Sequence, residues 1–394
     1  MNLLLLYLVT AFESAGTGIL QRGIYFYAHD RLGFGQLANL SLAFAYGACY
    51  VAGAFGSHPA ATRLGVRRLL VVALVGLFVV HAALTLAPTV WVLCIGFVIS
   101  AGLRGLKWPL FESYVSAGRT PGEILSVVGK YNVSWAIAMP VAVGISGPLI
   151  SGPWPFLMFA LPCAINVGSL AVVRYFPANP SHLDDTHPER LAASELARYG
   201  DLLISARWSL LAAYGLLFLL APLMPDIFQR IGVGIAWATP AASLYDVVRV
   251  SAFVVLGRIG SAWRGRTAPL VVSAVLLPIG FFLVLFAPSL GAVLVGELIF
   301  GGASGFVYTA ALYYALVVKN ASVDAGGAHE GLIGLGLGLG PLAGIVGYEL
   351  AGRAASSFTY VEGMLIGIAP LIFACIVGSM WPVPRLLRAP ASPP

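Results

Sequence analysis

From Leu3 to Trp381 the sequence is a succession of apolar runs, each about as long as a bilayer is thick, and that leaves few folds open. A membrane-spanning helix needs about 20 predominantly apolar residues at about 1.5 Å of rise each. Twelve segments meet that length: 3–27, 36–56, 69–87, 89–114, 124–149, 153–176, 207–228, 236–257, 268–287, 290–317, 329–351 and 360–382. A transmembrane barrel would instead need strands of ~10 residues in strict alternation, and runs such as Leu69–Val75 do not alternate. The first run lacks a basic leader and outlasts a signal-peptide core, so it reads as a retained helix. Only 10% of the residues are charged, against about 25% in a soluble domain. The expected fold class is an all-α integral membrane protein of twelve transmembrane helices.

Basic residues sort by side. With the N-terminus placed in the cytoplasm, fifteen Lys and Arg residues fall in loops or helix ends on that side, against Arg22, Arg31, Arg230 and Arg353 on the other. The positive-inside rule then orients the chain with both termini cytoplasmic, which requires an even number of spans. The one long polar stretch, 177–206, separates two runs of six spans and predicts domains 1–176 and 207–394 with a cytoplasmic central loop between them. Within it, Leu191–Ser205 has the pattern of a short amphipathic surface helix or of a solvated tether. Short loops and no organelle-targeting features suit a bacterial inner membrane. Cys49, Cys94, Cys163 and Cys375 all fall inside spans without CxxC spacing and read as small buried hydrophobes, so no metal is expected. The basic pI is explained by orientation, so no nucleic-acid partner follows from it.

Apart from Glu330 and Glu362 at the starts of the last two, six acidic residues lie inside the spans: Glu13 in the first, Glu112 in the fourth, Asp226 in the seventh, Glu297 in the tenth, and Asp246 and Glu349 outside that period of three. A charge at the centre of a bilayer costs several kcal/mol, so such groups default to a polar cavity or a partner. Glu13 sits near mid-membrane among Ser14, Gly16, Thr17 and Gly18, where water could reach it and a proton be loaded and released; a static salt bridge is the other reading. In the fourth span Arg104, Lys107 and Trp108 share a helix face with Glu112 eight residues on, a set able to grip an anionic or polyhydroxy solute with a ring for stacking. Snorkelling or structural pairing competes with that for Lys107 and Glu112. Asp246 and Arg249, three apart, are expected to neutralise each other. Glu297 is a second coupling candidate, and Tyr313 on the same helix could hydrogen-bond substrate. His81 reads as a structural histidine, Asn132 and Trp135 as cavity or helix-joining groups, and His329-Glu330 as a gate contact or a helix start.

Two six-helix halves, a central loop and cytoplasmic termini resemble the major facilitator superfamily over nearly the whole chain. Its motif between the second and third spans runs Gly, three residues, Asp-Arg, one residue, Gly-Arg-Lys/Arg. Here Gly56 to Arg68 keeps Arg63, Gly65, Arg67 and Arg68, but Thr62 stands where the acid belongs and His58 where the leading glycine belongs. The resemblance therefore implies a cytoplasmic gate loop whose latch is made otherwise. The second-half counterpart, Gly257 to Arg266, keeps only a Gly and Arg pattern. Gly147-Pro148 in the fifth span and Gly340-Pro341 in the eleventh are similar to the family's Gly-Pro antiporter signature, from which Met139-Pro140 departs; close helix packing or a gating hinge is the local account of these residues.

The resemblance also implies that the first, fourth, seventh and tenth helices line a central cavity, where most of the acids fell. The expected function is a monomeric secondary active transporter in lipid, moving a small organic solute by alternating access with protons and with no cofactor. A multidrug/proton antiporter is the alternative within transport. A polytopic membrane enzyme would need a clustered catalytic site at the membrane surface, and a non-transporting sensor would need more than the central loop provides. No GxxxxGK[ST] run is present to drive transport by ATP.

Overall fold

The computed structural model describes residues 3–115, 117–119, 121–181, 193–318, 323–353 and 360–388. Every regular element among them is a helix. In chain order the bundle consists of α1 (Leu3–Leu32), α2 (Gln36–Leu64), α3 (Val66–Leu86), α4 (Val90–Val115), α5 (Ser126–Ser151), α6 (Leu157–Val173), α7 (Ala193–Arg230), α8 (Ile235–Arg258), α9 (Ala268–Leu285), α10 (Leu290–Val318), α11 (Gly326–Gly352) and α12 (Gly363–Leu387). Eleven of these are long and apolar enough to cross a membrane, and α6 is a shorter apolar helix of 17 residues. The chain is a multi-pass integral membrane protein.

Its outer surface is apolar, the reverse of a water-soluble domain. Val72, Val75 and Val79 on α3 and Trp91, Ile95 and Ile99 on α4 are all exposed at three- and four-residue spacings, so each set forms one stripe toward lipid. Charge is turned inward: Glu13, Arg22, Arg104, Lys107, Glu112, Asp246, Arg249, Glu297 and Glu330 are all buried.

The helices run past the ends expected from hydropathy, because a helix does not stop where the hydrocarbon stops. The second continues to Leu64 rather than to residue 56, so the Gly56–Arg68 motif is not a loop. Arg63 lies on the last turn of α2, Gly65 at φ +84° is the single residue between helices, and Arg67 and Arg68 open α3. Residues 193–206 are likewise not loop: they are the start of the 38-residue helix α7, so no separate surface helix forms there. Asp184, Asp185, Glu189 and Arg190 of the central stretch, and Lys319, lie outside the described residues.

Four of the long helices are interrupted: α1 at Arg22, α5 at Ile137, α8 at Ser243 and α12 at Trp381–Pro382. For α5 the cause is local. Pro140 has no N–H for the carbonyl of Ala136 and its ring crowds that carbonyl, so the helix breaks one residue later. Interrupted helices in lipid are tolerated where they border a polar cavity inside the protein, and the break at Arg22 does so here.

The first six helices and the last six meet along two seams, α2 against α11 and α5 against α8. Adding six to each number turns one seam into the other, as two pseudo-symmetric six-helix bundles require. Both seams depend on missing side chains. A Cβ on Gly47 of α2 would lie 2.6 Å from the Cα of Gly338 on α11, and one on Gly147 of α5 would lie 2.6 Å from Thr239 Oγ1 on α8. The Gly147 contact is polar as well as close, since its N–H donates to Thr239 Oγ1 at 2.8 Å and that hydroxyl donates to the Gly144 carbonyl at 3.1 Å. The glycines of the fifth and eleventh spans are thus used for packing. Gly147→Leu should lower the thermal stability of the reconstituted protein by about 1–3 kcal/mol through overpacking. Gly144→Ala, whose new methyl meets nothing closer than 3.7 Å, should leave the melting curve unchanged.

Candidate functional site

Between the seams lies a cavity of about 70 Å³, lined from α1, α2, α4 and α5 on one side and from α7, α8, α10 and α11 on the other. The two sets correspond under the same shift of six, and α3, α6, α9 and α12 supply no lining residue. The volume is well below the ~300–1,000 Å³ of open small-molecule pockets, so the space is nearly closed in this conformation. Seven of its seventeen lining residues are aromatic: Tyr50, Trp108, Tyr131, Trp135, Tyr214, Phe218 and Tyr308. Ser14, Thr17 and Gln21 add hydrogen-bonding groups from α1, and Arg22, Asp246, Arg249 and Glu330 add charge.

Three charged clusters hold this space. The first crosses between the bundles on the side nearer the α1–α2 turn. Arg22, at the break in α1, forms an ion pair with Asp246 Oδ2 on α8 and donates from Nη2 to the Ala242 carbonyl at 3.0 Å. Arg249, one turn along α8, reaches Asp246 Oδ1 at 2.7 Å. One carboxylate therefore serves two guanidinium groups, all within a few per cent of full burial. The Arg249 guanidinium also lies over the rings of Trp135 and Tyr245, 5.0 and 5.2 Å from their centres, an orientation that offsets part of its desolvation.

The second cluster stands behind the wall inside the first six helices. Lys107 Nζ donates to Glu13 Oε2 at 2.6 Å, and Asn166 Nδ2 on α6 donates to both oxygens of the same carboxylate at 3.1 and 3.3 Å. That fixes Asn166 Oδ1 as an acceptor, so His81 must present its proton on Nδ1 across 2.7 Å. His81 Nε2 is then left with a lone pair toward Arg104 Nη2 at 3.5 Å, and Arg104 Nη1 donates to the Tyr46 hydroxyl at 3.3 Å. This is one polar chain through α1, α2, α3, α4 and α6. The third cluster bridges the bundles on the side of the α2–α3 junction. The Tyr50 hydroxyl on α2 donates to Glu330 Oε2 on α11, and one donor atom each of Glu112, His329 and Glu330 lie within 4.8 Å of one another.

The anticipated residues thus divide. Trp108 lines the cavity. Glu13, Arg104 and Lys107 share the second cluster, and Glu112 belongs to the third. Glu297 stands apart, accepting the Tyr245 N–H at 3.3 Å beside a smaller pocket that Arg22 also borders. Asp226 does not reach the cavity: it lies one turn from the end of α7, in a pocket with Gln36 and Arg230. Tyr313 is also outside it, packed edge-on to Tyr314 and Trp263. Arg67 donates to the Phe176 carbonyl at 2.8 Å, within its own bundle, while Arg63 and Arg68 are exposed. Asp246 and Arg249 pair as expected, His81 is held as a structural group, and Trp135 Nε1 donates to Asn132 Oδ1 at 3.3 Å. Sequence reasoning placed Arg22 near the outer end of the first helix and gave no role to Tyr50, Tyr131, Asn166, Tyr214 or Tyr308.

A twelve-helix bundle with a two-fold-related central cavity is the architecture of a membrane transporter. The sequence model of the Major Facilitator Superfamily matches residues 3–345, and the chain belongs to that family. No curated protein matches the chain. Among solved structures, it is similar in fold to the human organic anion transporter MFSD10 (TETRAN), with a TM-score of 0.65 at 14% identity over 95% of this chain and 98% of that one. It is similar also to an alanine variant of the nucleoside transporter NupG, with a TM-score of 0.64 at 13% identity over 97% and 98%.

The shared carboxylate makes a quantitative expectation. Asp246→Ala strands two buried guanidinium groups and should cost about 3–5 kcal/mol, whereas Arg249→Ala leaves the Arg22–Asp246 pair intact and should cost less. Thermal unfolding of both variants and of the double variant in lipid nanodiscs measures the difference.

Proposed function

We propose that the chain is a secondary active transporter that moves a small organic solute by alternating access, coupled to protons. The observation that carries this reading is the cavity itself, bordered by both bundles and crossed on each side by a charged tie. The Arg22–Asp246 pair joins α1 to α8 on one side, and Tyr50–Glu330 joins α2 to α11 on the other. Opening one side requires its tie to break while the other holds, which is the two-state element alternating access needs. Residues 1–176 and 207–394 act as the moving halves, with 177–206 as their connection. Both ends are cytoplasmic by the sidedness of the basic residues, in a bacterial inner membrane.

The wall chemistry favours a planar organic anion. On the triad side two guanidinium groups share one carboxylate, leaving one positive charge in excess, and seven aromatic rings offer flat faces for stacking. The solved relatives in fold are described as carrying organic anions and nucleosides, which fits such a wall. A multidrug/proton antiporter is the alternative, since Asp246 and Glu330 border the same space as the two arginines. Family membership speaks against the enzyme reading.

Uptake by proteoliposomes tests this. A panel of planar carboxylates should include solutes accumulated in response to an inward proton gradient. For those, Trp135→Ala, which removes both a stacking face and the support under Arg249, should raise KM about tenfold, the equivalent of ~1.4 kcal/mol. Uptake that ignored every cavity substitution would sink the proposal.

A further inference from the structure

We infer that Glu112 and Glu330 hold a single proton between them, one carboxyl from each bundle, and that this pair rather than Glu13 is the coupling site. The inference rests on the transporter reading for its role, not for its geometry.

Glu13 already has a full charge partner in Lys107, with two further bonds from Asn166. Glu112 and Glu330 do not. Both are buried, at 0% and 4% exposure, and they face each other from α4 and α11. Every element packed around them offers only neutral or already engaged groups among the described residues. From α2 comes the Tyr50 hydroxyl, used on Glu330; from α5, Tyr131; from α7, Tyr214; from α10, Tyr308; and from α11, His329. The cation on α4, Lys107, is bound to Glu13. Arg207 on α7 faces His329.

Independent of the acids, His329 is fully buried with no hydrogen bond to either ring nitrogen, its ring edge-on to Tyr308 at 5.1 Å. Neither oxygen of Glu112 is satisfied by a donor in the protein. Two ionised carboxylates in such a place repel each other with nothing between them; one proton turns the contact into an O–H···O bond. Tyr50 orients the Glu330 side of that bond. When α4 and α11 separate, the bond breaks, both carboxyls meet water, and the proton passes to a water molecule on that side. A site of this kind carries one proton per cycle and closes its side of the cavity only when loaded.

The test uses the full chain in lipid. Infrared difference spectra of the substrate-free protein across a pH titration should contain a protonated-carboxyl C=O band. That band should disappear in Glu112→Gln and in Glu330→Gln and persist in Glu13→Gln. The exchange rate of an accumulated solute should vary about tenfold per pH unit on the limb where a single proton titrates, and should become flat in either glutamine variant, with nothing added by combining them. A band unaffected by both variants, or a pH profile that survives them, overturns the site. So does stoichiometric binding of Zn²⁺ or Mn²⁺ to the purified chain that both variants abolish, since the three donors would then be holding a metal ion. If the band behaves as stated while wild-type accumulation ignores the proton gradient, the proton site stands and the coupled-transport reading falls.

Discussion

Asp246 answers two arginines, and one of them belongs to the opposite bundle. Much of the architecture follows from the constraint behind that arrangement: in a lipid-embedded protein, a charge must find its counter-charge inside. The constraint is severe because a lone buried ion loses several kcal/mol of hydration. It draws α1 and α8 together at Arg22, binds α1 to α4 through Glu13 and Lys107, and brings α6 into the same chain through Asn166. None of these contacts is needed for helix formation. They set which helices lie beside which, and therefore where the cavity opens.

The division of labour between charge and shape is visible along the two seams. Glycines let the backbones of α2 and α11, and of α5 and α8, approach to a distance that any side chain would prevent. That close packing is dispersion and backbone contact, indifferent to protonation. The ties at Asp246 and Glu330 are the reverse, strong only in one charge state and one geometry. Under the proposed alternating-access cycle, the glycine seams would serve as rolling surfaces and the charged ties would decide which side is closed.

Much of the fold was legible because lipid imposes so plain a pattern. Apolar length set the number of helices, and the period of Glu13, Glu112 and Glu297 pointed to helices with polar inner faces. Helix ends were less legible, since α2 and α7 continue beyond the hydrocarbon with sequence that hydropathy scores as loop. Asp246 and Arg249 were identifiable because an i, i+3 pair is local, whereas Arg22–Asp246 spans 224 residues and leaves no trace in spacing. Asp226 and Tyr313 were drawn in by helix number alone, although a position near a helix end or on the wrong face removes a side chain from the centre. His329-Glu330 carried a usable signal: two adjacent titratable residues about to enter an apolar run.

The short helix α6 has a consequence outside the protein. Its 17 residues rise about 25 Å, some 5 Å less than the ~30 Å hydrocarbon thickness of an average bilayer. Trp154 before it and Tyr175 after it are both 62% exposed, and such rings settle at the headgroup level. Rings so placed would draw the leaflets together into a dimple along that flank. The elastic cost of that dimple depends on acyl-chain length. A membrane of shorter chains would relieve it, and the same polypeptide would then sit in its bilayer at a different angle.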